Sequence, residues 1–262
     1  MELSPRRQRI LKHVVEEYVR TAVPVSSEAI VRGYQPELST ATVRNELAQL
    51  EDLGLVSHPH TSAGRIPTDV GYRFYVEHLM ERADPSPGEQ RAIRQQFHQL
   101  EPDVGRWVHL ASSVLANAVQ AAAVVTPPAS DRRSFEDVYY EGLAHILSQP
   151  EFTYSHKVVP LVQVLERGAV LGQLLSQALD VSRVVVVIGH EHPLQEMWET
   201  SAVLTGYGRA EDVQGVVGVL GPTRMPYWRA VAMVRFMAGL MGLLVASEAE
   251  RRTHQWRERD VN

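Results

Sequence analysis

An amphipathic segment followed at once by a small polar loop constrains the fold of this chain most. Segment 39–53 starts with Ser39 and Thr40, hydroxyl residues that suit a helix start. Its apolar positions form one stripe at helical spacing: Val43, Leu47, Leu50 and Leu53. Gly54 ends the segment, and 59–67 is rich in proline, glycine, small polar and cationic residues. This order predicts a winged helix-turn-helix, in which the helix enters a DNA major groove and the loop is the wing.

The chain is long enough for two domains, and its composition places a boundary between them. Ser4-Pro5 predicts the start of a first helix, 28–32 a short second helix, and Thr68-Asp69 the start of a fourth. We therefore expect a winged-helix domain over 1–82 and a proline- and glycine-rich linker over 83–88.

Residues 89–262 predict a second domain in which helices and short apolar strands are mixed. Helices are predicted at 89–100, 106–119, 135–147, around 157–179 and at 223–248, and strands at 122–126, 183–188, 202–207 and 213–220. The pattern favours an α+β domain with a small antiparallel sheet and a long C-terminal helix.

Three side chains of segment 39–53 are candidates for reading DNA bases. Rotating by 100° per residue from a core-facing Leu47 places Thr42, Asn45 and Gln49 on the opposite, exposed side. Asparagine and glutamine amides can form paired hydrogen bonds with adenine, and a threonine methyl group can contact the thymine methyl group. The alternative interpretation is that segment 39–53 is an exposed helix of a generic helical domain. That interpretation is less favoured because a short helix precedes the segment, and Gly54 and the wing follow it.

Other residues are candidates for contacts with the DNA backbone. Ser39 and Thr40 suit a phosphate because backbone N–H groups at a helix start lack partners within the helix. Arg44, on the flank, is expected to clamp a phosphate or to form an ion pair within the domain. The wing adds side chains that could follow the backbone or enter the minor groove, with Arg65 at its tip: His60, Thr61, Ser62 and Arg65.

The charge balance does not by itself favour nucleic acid. The net charge is −5, and residues 1–82 hold 10 Lys and Arg against 11 Asp and Glu, although Arg6, Arg7, Arg9 and Lys12 cluster at the start. A near-neutral domain gains little from the release of counterions, so its nonspecific affinity should be weak. Specific binding is then expected to need two copies acting together.

Several other classes of protein are disfavoured. The 44% hydrophobic and 22% charged content is that of a soluble globular protein, and the absence of Cys fits a reducing compartment. Residues 1–20 are charged throughout, and the longest apolar run, 231–246, contains Arg235 and is shorter than the ~20 residues of a membrane span. We expect a cytoplasmic protein.

Metal and catalytic sites are not expected either. His58-x-His60 and His190-x-His192 lack cysteine or carboxylate partners at the usual ligand spacing. No phosphate-binding glycine loop, Gly-x-Ser-x-Gly motif or catalytic carboxylate pair stands out. The sequence predicts no metal, no cofactor and no enzymatic activity.

The combined motifs resemble the HrcA family of bacterial heat-inducible transcription repressors. The match to Ser39–Glu46 is weak alone, whereas 58–69 followed by 71–76 is specific. Further matching stretches cover nearly the whole chain: 139–143, 147–152, 188–191 and 218–227.

The resemblance implies a winged helix followed by a GAF-like domain. It also implies a repressor of chaperone operons, active as a homodimer on the inverted-repeat operator called CIRCE. In that family the chaperonin GroEL keeps the repressor active. On heat shock misfolded protein occupies GroEL, so the repressor loses activity.

One departure concerns dimerisation. Members of the family carry extra strands and an inserted dimerisation domain between the strand that matches 122–126 and the segment starting near Val138. The interval is short here, so the insert is expected to be absent and the sheet to be trimmed. The helix predicted at 223–248 is the candidate interface, although burial against its own sheet is favoured.

Two other functions remain open at this point. The GAF-like domain could sense a small molecule, or the winged helix could bind only other proteins. The aliphatic content of 183–188 and 213–220 favours a packed core over an open pocket, so the first of these ranks below a repressor under chaperonin control.

Overall fold

The computed structural model describes residues 2–34, 36–59, 64–81, 83–129, 138–152, 183–209 and 213–259, with 162–163, 172, 175–176 and 178. Within these residues the chain begins with three helices, continues through a two-stranded wing and a fourth helix, and then forms an α+β unit. The predicted fold class is therefore confirmed.

The first three helices begin at hydroxyl caps. Helix α1 spans Pro5–Thr21, α2 spans Ser27–Gly33 and α3 spans Thr40–Asp52. Each helix is preceded by a serine whose hydroxyl oxygen accepts a hydrogen bond from a backbone N–H in the first turn: Ser4, Ser26 and Ser39.

Helix α3 buries Val43, Leu47 and Leu50 against the other helices. Leu53, predicted to belong to the same stripe, is 38% exposed. The expectation for Leu53 is wrong because α3 ends at Asp52, so Leu53 lies beyond the regular helix.

The wing strands and the fourth helix complete the N-terminal domain. Strands β1 (Val56–Ser57) and β2 (Ile66–Pro67) pair in antiparallel register. Helix α4 spans Asp69–Phe74, is capped by the Thr68 hydroxyl group, and continues as a π-helical turn over Tyr75–Leu79.

The second unit is a five-stranded antiparallel sheet with apolar side chains packed against both of its faces. Helices α5 (Pro87–His98) and α6 (Val104–Val119) lead into β3 (Ala122–Val125). The other strands are β4 (Tyr139–Glu141), β5 (Val185–Ile188), β6 (Thr200–Arg209) and β7 (Val213–Pro222). Their order is β4-β3-β7-β6-β5, so β4 and β5 are the edges of the sheet as described.

The helix predicted at 135–147 is wrong over its middle part. Tyr139 and Tyr140 pair in β4 with Val125 and Val124, which suits the preference of aromatic residues for strands. Gly142 follows with a positive φ of 78°, and only then does the short helix α7 (Leu143–Leu147) begin. The helix predicted around 157–179 falls mostly outside the described residues.

The last helix, α8, spans Tyr227–Arg259 and packs across the sheet. By length and composition its segment Tyr227–Arg251 could cross a membrane, but 39% of the most apolar window is already buried inside the protein. Its buried side is formed by methionines at helical spacing that face β6, β7 and α6: Met233, Met237 and Met241.

The N-terminal domain packs directly on the second unit. Tyr72 of α4 stacks obliquely on Tyr227 of α8, with ring centroids 5.6 Å apart. Arg73 binds the carboxylate of Glu191, and Asp69 accepts a hydrogen bond from the backbone N–H of His190 at 2.9 Å. The buried apolar side chains of the two units therefore form one continuous cluster.

Candidate nucleic-acid interface

The start of α3 carries its own hydrogen-bonded hydroxyl pair. The Ser39 Oγ atom accepts a hydrogen bond from the Thr42 backbone N–H at 3.1 Å and lies 2.8 Å from the Thr42 Oγ1 atom. Ser39 is exposed, whereas Thr40 and Thr42 are half-buried. These hydroxyl groups surround the positive end of the helix dipole, which favours an anion such as a phosphate oxygen.

The outer face of α3 combines two amides with two small residues. Asn45 and Gln49 are exposed, and so are Ala41 and Ala48 beside them. Sequence reasoning missed the alanines, although their spacing from the two amides on a helix was available as a signal. These short side chains leave the neighbouring amides accessible to a base-pair edge.

Arg44 stands on the flank of α3 and binds α2. Its Nη2 atom lies 2.6 Å from Glu28 Oε1, and its Nε atom donates to the Ser27 hydroxyl group at 3.4 Å. Hydrogen bonds from the backbone of Glu28 and from Arg44 lower the pKa of the Glu28 carboxyl group. Of the two expected roles, the ion pair within the domain is formed, while 67% of the Arg44 side chain stays exposed.

A second ion-pair site on α3, at Glu46, was not predicted. Glu46, only 15% exposed, binds the Arg7 Nε atom at 2.8 Å and lies 3.7 Å from Arg6 Nη1. The pair brings the first turn of α1 beside α3. The sequence did contain a signal for this contact, because Glu46 is next to the core position Leu47. A carboxylate that is mostly buried needs a partner of opposite charge.

Lys12 belongs to a different surface from the other N-terminal cations. Its Nζ atom is 2.5 Å from Glu81 Oε1 and 3.9 Å from Glu16 Oε1, near the junction with the second unit. The cationic cluster seen in the sequence is thus divided, with Arg6 and Arg7 next to α3 and Lys12 on another surface.

Arg65 is not at the tip of the wing. Its backbone N–H and C=O both pair with Val25, and its Nη2 atom lies 2.8 Å from Glu51 Oε2, at the C-terminal end of α3. The Arg65 side chain is only 20% exposed. The expected tip position is wrong because Arg65 directly precedes β2 and anchors the base of the wing. His60, Thr61 and Ser62 lie outside the described residues.

The backbone path at the wing base depends on Gly64. A Cβ atom on Gly64 would lie 2.6 Å from the carbonyl group of Pro24, so a larger residue would push the wing away from the α1–α2 connection. This contact and the Arg65 bridge fix where the wing leaves the domain.

The pair His190 and His192 does not form a metal site among the described residues, and His60 of the other pair lies outside them. His190 Nδ1 lies 2.6 Å from Asp69 Oδ2, and its ring stacks on Trp198 with centroids 4.5 Å apart. In the described part of the chain, no three His, Asp or Glu side chains are grouped as metal ligands would be.

A groove of about 990 Å³ lies between the two units rather than inside the second one. One wall comes from α1, and the other comes from the residues before and at the start of α8, including Trp228. Tyr75 of the π-helical turn also lines the groove. Arg224 closes one end, donating to the Val19 carbonyl oxygen at 2.8 Å and pairing with Glu151 at 2.5 Å.

Two family models match the chain over most of its length. The model described as "Winged helix-turn-helix transcription repressor, HrcA DNA-binding" matches residues 2–79. The model described as "HrcA protein C terminal domain" matches residues 90–231.

Individual proteins show the same similarity. A heat-inducible transcription repressor HrcA from Herpetosiphon aurantiacus is 36% identical over 341 positions, covering 94% of this chain and 96% of the relative. One from Roseiflexus sp. is 35% identical over 342 positions, covering 94% and 95%. A solved structure described as a hypothetical protein has a TM-score of 0.75 at 18% identity, covering 94% of this chain and 99% of its own, which supports the fold alone.

The curated relatives are longer than this chain. The Herpetosiphon alignment runs over 341 positions, whereas 94% of 262 residues supplies about 246, so about 95 positions of the relative face gaps here. That these positions correspond to the inserted domain stays a prediction.

Proposed function

The chain belongs to the HrcA family of heat-inducible transcription repressors, and we propose that it silences chaperone operons by binding a CIRCE-type inverted repeat as a dimer. The observation that carries the proposal is the outer face of α3, where Asn45 and Gln49 stand exposed beside Ala41 and Ala48. An amide on such a face matches the donor and acceptor pattern of adenine in the major groove.

In this proposal the two amides read bases while the surrounding groups hold the sugar-phosphate backbone. Thr42 contacts a thymine methyl group, and Ser39 and Thr40 bind a phosphate at the helix start. Arg44 reaches a second phosphate with the exposed part of its side chain. The wing contributes the remaining backbone contacts through His60, Thr61 and Ser62, and Arg65 supports them by anchoring the base of the wing to Glu51.

Two copies supply the affinity that one nearly neutral domain lacks. A two-fold dimer reads an inverted repeat whose half-sites lie about one helical turn of 10–10.5 bp apart, or a multiple of that distance. Linking two weak half-site contacts raises the overall affinity without any new contact with DNA.

The chaperonin GroEL is the proposed partner that adjusts this activity in the cytoplasm. Family membership supports this regulation, because the relatives are named as heat-inducible repressors. Heat would then reduce operator occupancy as misfolded proteins compete for the chaperonin.

Fluorescence anisotropy on labelled duplexes tests the proposal. The full chain should bind an inverted-repeat operator from a chaperone promoter much more tightly than a scrambled duplex, and GroEL should increase the active fraction. Equal affinity for both duplexes over a salt series would contradict base readout. Operator binding that ignores GroEL would contradict the chaperonin step alone.

A small-molecule regulator is the second candidate, favoured by the groove between the two units. A thermal-shift screen against nucleotides and metabolites separates the candidates. One compound that stabilises the protein and changes operator affinity would favour ligand control over chaperonin control.

A further inference from the structure

A groove of about 680 Å³ lies between α8 and the edge of the sheet, and both units of the chain line it. The N-terminal domain supplies Val76 of the π-helical turn and Met80 directly after it. Edge strand β5 and the residues before it supply Arg183, Val184 and Val186. We call this space the edge groove. It shares no lining residue with the larger groove between α1 and the start of α8.

Small residues keep the edge groove open. A Cβ atom on Gly239 would meet nothing within 4 Å, and one on Gly242 would approach only the backbone nitrogen of Gly208 in β6, at 3.6 Å. The helix therefore passes the strands without large side chains that fill the space between them. One flank of α8 faces this space, and its residues recur at helical spacing: Val231, Arg235, Ala238 and Gly242.

The edge groove carries positive charge without a counterion. Among the described residues that line it, Arg183 and Arg235 are the charged ones, and both are exposed. Neither guanidinium group has a hydrogen-bond or ion-pair partner in the part of the chain that the structure describes. Elsewhere arginines meet carboxylates, as Arg73, Arg224 and Arg229 do. The chain has 31 acidic residues against 26 Lys and Arg, so two arginines without a carboxylate in one groove are an exception.

Helix α8 runs alongside strand β6 in nearly the same direction. The Tyr227 Oη atom at the start of the helix is 2.8 Å from Ser201 Oγ, and Gly242 comes close to Gly208 further along both elements. From residue 227 to 242 the helix rises about 22 Å, and from 201 to 208 the strand rises about 23 Å. The two elements therefore stay in step over this length.

This alignment brings the two arginines of the edge groove to the same level. Arg235 lies about 12 Å beyond Tyr227 along the helix, which corresponds to Thr205 on β6. The Thr205 hydroxyl group donates to the Arg183 carbonyl oxygen at 2.9 Å, so Arg183 starts from that level as well. Both guanidinium groups can therefore reach the same oxyanion, which arginine binds through paired N–H groups.

We propose that the edge groove binds a small organic anion. Its carboxylate or phosphate group pairs with Arg183 and Arg235, and its apolar part lies along Val186, Val231 and Gly239. The volume of the groove is within the range of about 300–1,000 Å³ that is usual for small-molecule sites. The inference goes beyond the proposed function, because none of the residues assigned to DNA lines this groove.

A nucleic acid or a membrane fits the edge groove less well than a small anion does. Binding of a phosphate backbone by charge needs several cations along one surface, and two line this groove. An interfacial helix presents a broad face of large apolar side chains to lipid, whereas this flank of α8 contains Ala238, Gly239 and Gly242.

Titration calorimetry with two simple anions tests the proposal. Hexanoate and hexyl phosphate are the probes, and hexyltrimethylammonium has the same apolar part with a positive head group. At least one anion should bind saturably with one site per chain and raise the melting temperature, and the tighter anion identifies the preferred head group. The cation should not bind. No saturable binding of either anion, or equal binding of the cation, would overturn the proposal.

Arginine variants tie the binding to the edge groove. Arg183→Gln and Arg235→Gln should each weaken the preferred anion at least about tenfold, because hydrogen bonds to a charged group are lost. Arg91→Gln is the matched control, since Arg91 is exposed on α5, also lacks a described partner and does not line the groove. Unchanged affinity in Arg235→Gln, or an equal loss in Arg91→Gln, would overturn the proposal.

A further variant tests the shape of the groove with both charges kept. Gly239→Leu places a side chain in open space, so circular dichroism should show an intact fold while the anion binds at least about tenfold more weakly. Full affinity in this variant would mean that the anion binds outside the groove and would overturn the proposal.

Operator binding is measured separately, so the two proposals can fail independently. If the chain discriminates its operator but neither anion binds, this inference fails and the proposed function stands. If an anion binds and the arginine variants lose it while no operator is recognised, the proposed function alone fails. Binding of phosphatidylglycerol vesicles or unrelated DNA that requires Arg183 and Arg235, with no binding of the two probes, would assign the groove to those partners and overturn the inference.

Discussion

Arg73 of α4 and Glu191 beyond β5 form a two-point ion pair that joins the winged-helix domain to the sheet. The Arg73 Nε atom donates to Glu191 Oε1 at 2.7 Å, and its Nη2 atom binds both Glu191 Oε2 and, at 2.7 Å, the Val186 carbonyl oxygen of the edge strand. Glu191 in turn accepts a hydrogen bond from the Ile188 backbone N–H at 2.8 Å. Arg73 and Glu191 therefore form hydrogen bonds with the Val186 carbonyl and Ile188 N–H groups of β5. An edge strand would otherwise leave such groups free to pair with another chain.

Breaking this pair should uncouple the two domains. Hydrogen bonding to Glu191 raises the pKa of Arg73 and reflects a stabilised cation. Arg73→Ala should cost about 1–3 kcal/mol, since hydrogen bonds to charged groups are lost and the Val186 carbonyl oxygen loses its partner. Calorimetry should show a lower and broader transition. Arg106→Ala, which breaks an exposed pair with Glu101, is the control and should cost less than about 1 kcal/mol. Equal losses in the two variants would contradict the prediction.

Gly71 should not tolerate a methyl group. A Cβ atom there would collide with the carbonyl oxygen of Leu55, which is backbone and cannot move aside cheaply. Gly71→Ala should destabilise the protein by about 1–3 kcal/mol or more, by separating α4 from the wing. Gly88→Ala, where nothing lies within 4 Å, should instead stabilise helix α5 by up to about 1 kcal/mol. Urea unfolding measures both, and a neutral Gly71→Ala would show that the wing base is not tightly packed.

Asn45→Ala should reduce discrimination between operators. The exposed amide makes no contribution to the core, so the fold should be unchanged. Loss of a paired amide–adenine contact should cost about 1–3 kcal/mol on the cognate site and little on scrambled DNA. Asn117→Ala removes another exposed amide, from α6, and should leave both affinities unchanged. Similar anisotropy titrations for the two variants would remove Asn45 from the proposed interface.

Arg65→Ala distinguishes an anchor of the wing from a phosphate contact. Its bridge to Glu51 and its low exposure predict lower stability and weaker binding to every duplex. The slope of log affinity against log salt should hardly change if Arg65 acts as an anchor. A direct phosphate contact would lower that slope by about one unit, and such a result would contradict the anchoring role.

Stability should fall on mild acidification because of one buried histidine. Burial lowers the pKa of His192 from 6.5 to about 4, the carboxylate of Glu191 opposing this only in part. Between these values the unfolded chain binds a proton that the folded chain does not. Stability is therefore full above pH 6.5 and declines as the pH falls toward 4, by up to about 1.4 kcal/mol per unit.

Urea unfolding at pH 7 and pH 5 measures this effect against a matched variant. His192→Phe should reduce the loss of stability between the two pH values, whereas His98→Phe, at an exposed position, should leave it unchanged. The comparison with wild type removes the contribution of carboxyl groups that titrate in the same range. Identical pH dependence in all three proteins would exclude His192 as the cause.

Local features of the chain were predictable because they depend on neighbours in sequence. The caps at Ser4, Ser26 and Ser39, the apolar stripe of α3 and the outward direction of Asn45 follow from helix geometry and hydroxyl chemistry. The strand at 139–141 was missed because the strand preference of Tyr139 and Tyr140 is weak without a partner, and β4 forms through its pairing with β3.

The sequence by itself determined the type of most elements and the side of α3 that meets solvent, since periodicity of three to four residues records which side is buried. The tertiary structure alone decided the partners of the charged side chains. Arg73 meets Glu191 from 118 residues away, Arg7 meets Glu46 from 39 residues away, and Arg65 turns inward to Glu51. Such choices depend on where the folded chain passes, and a partly buried charge selects whichever opposite charge the fold brings within reach.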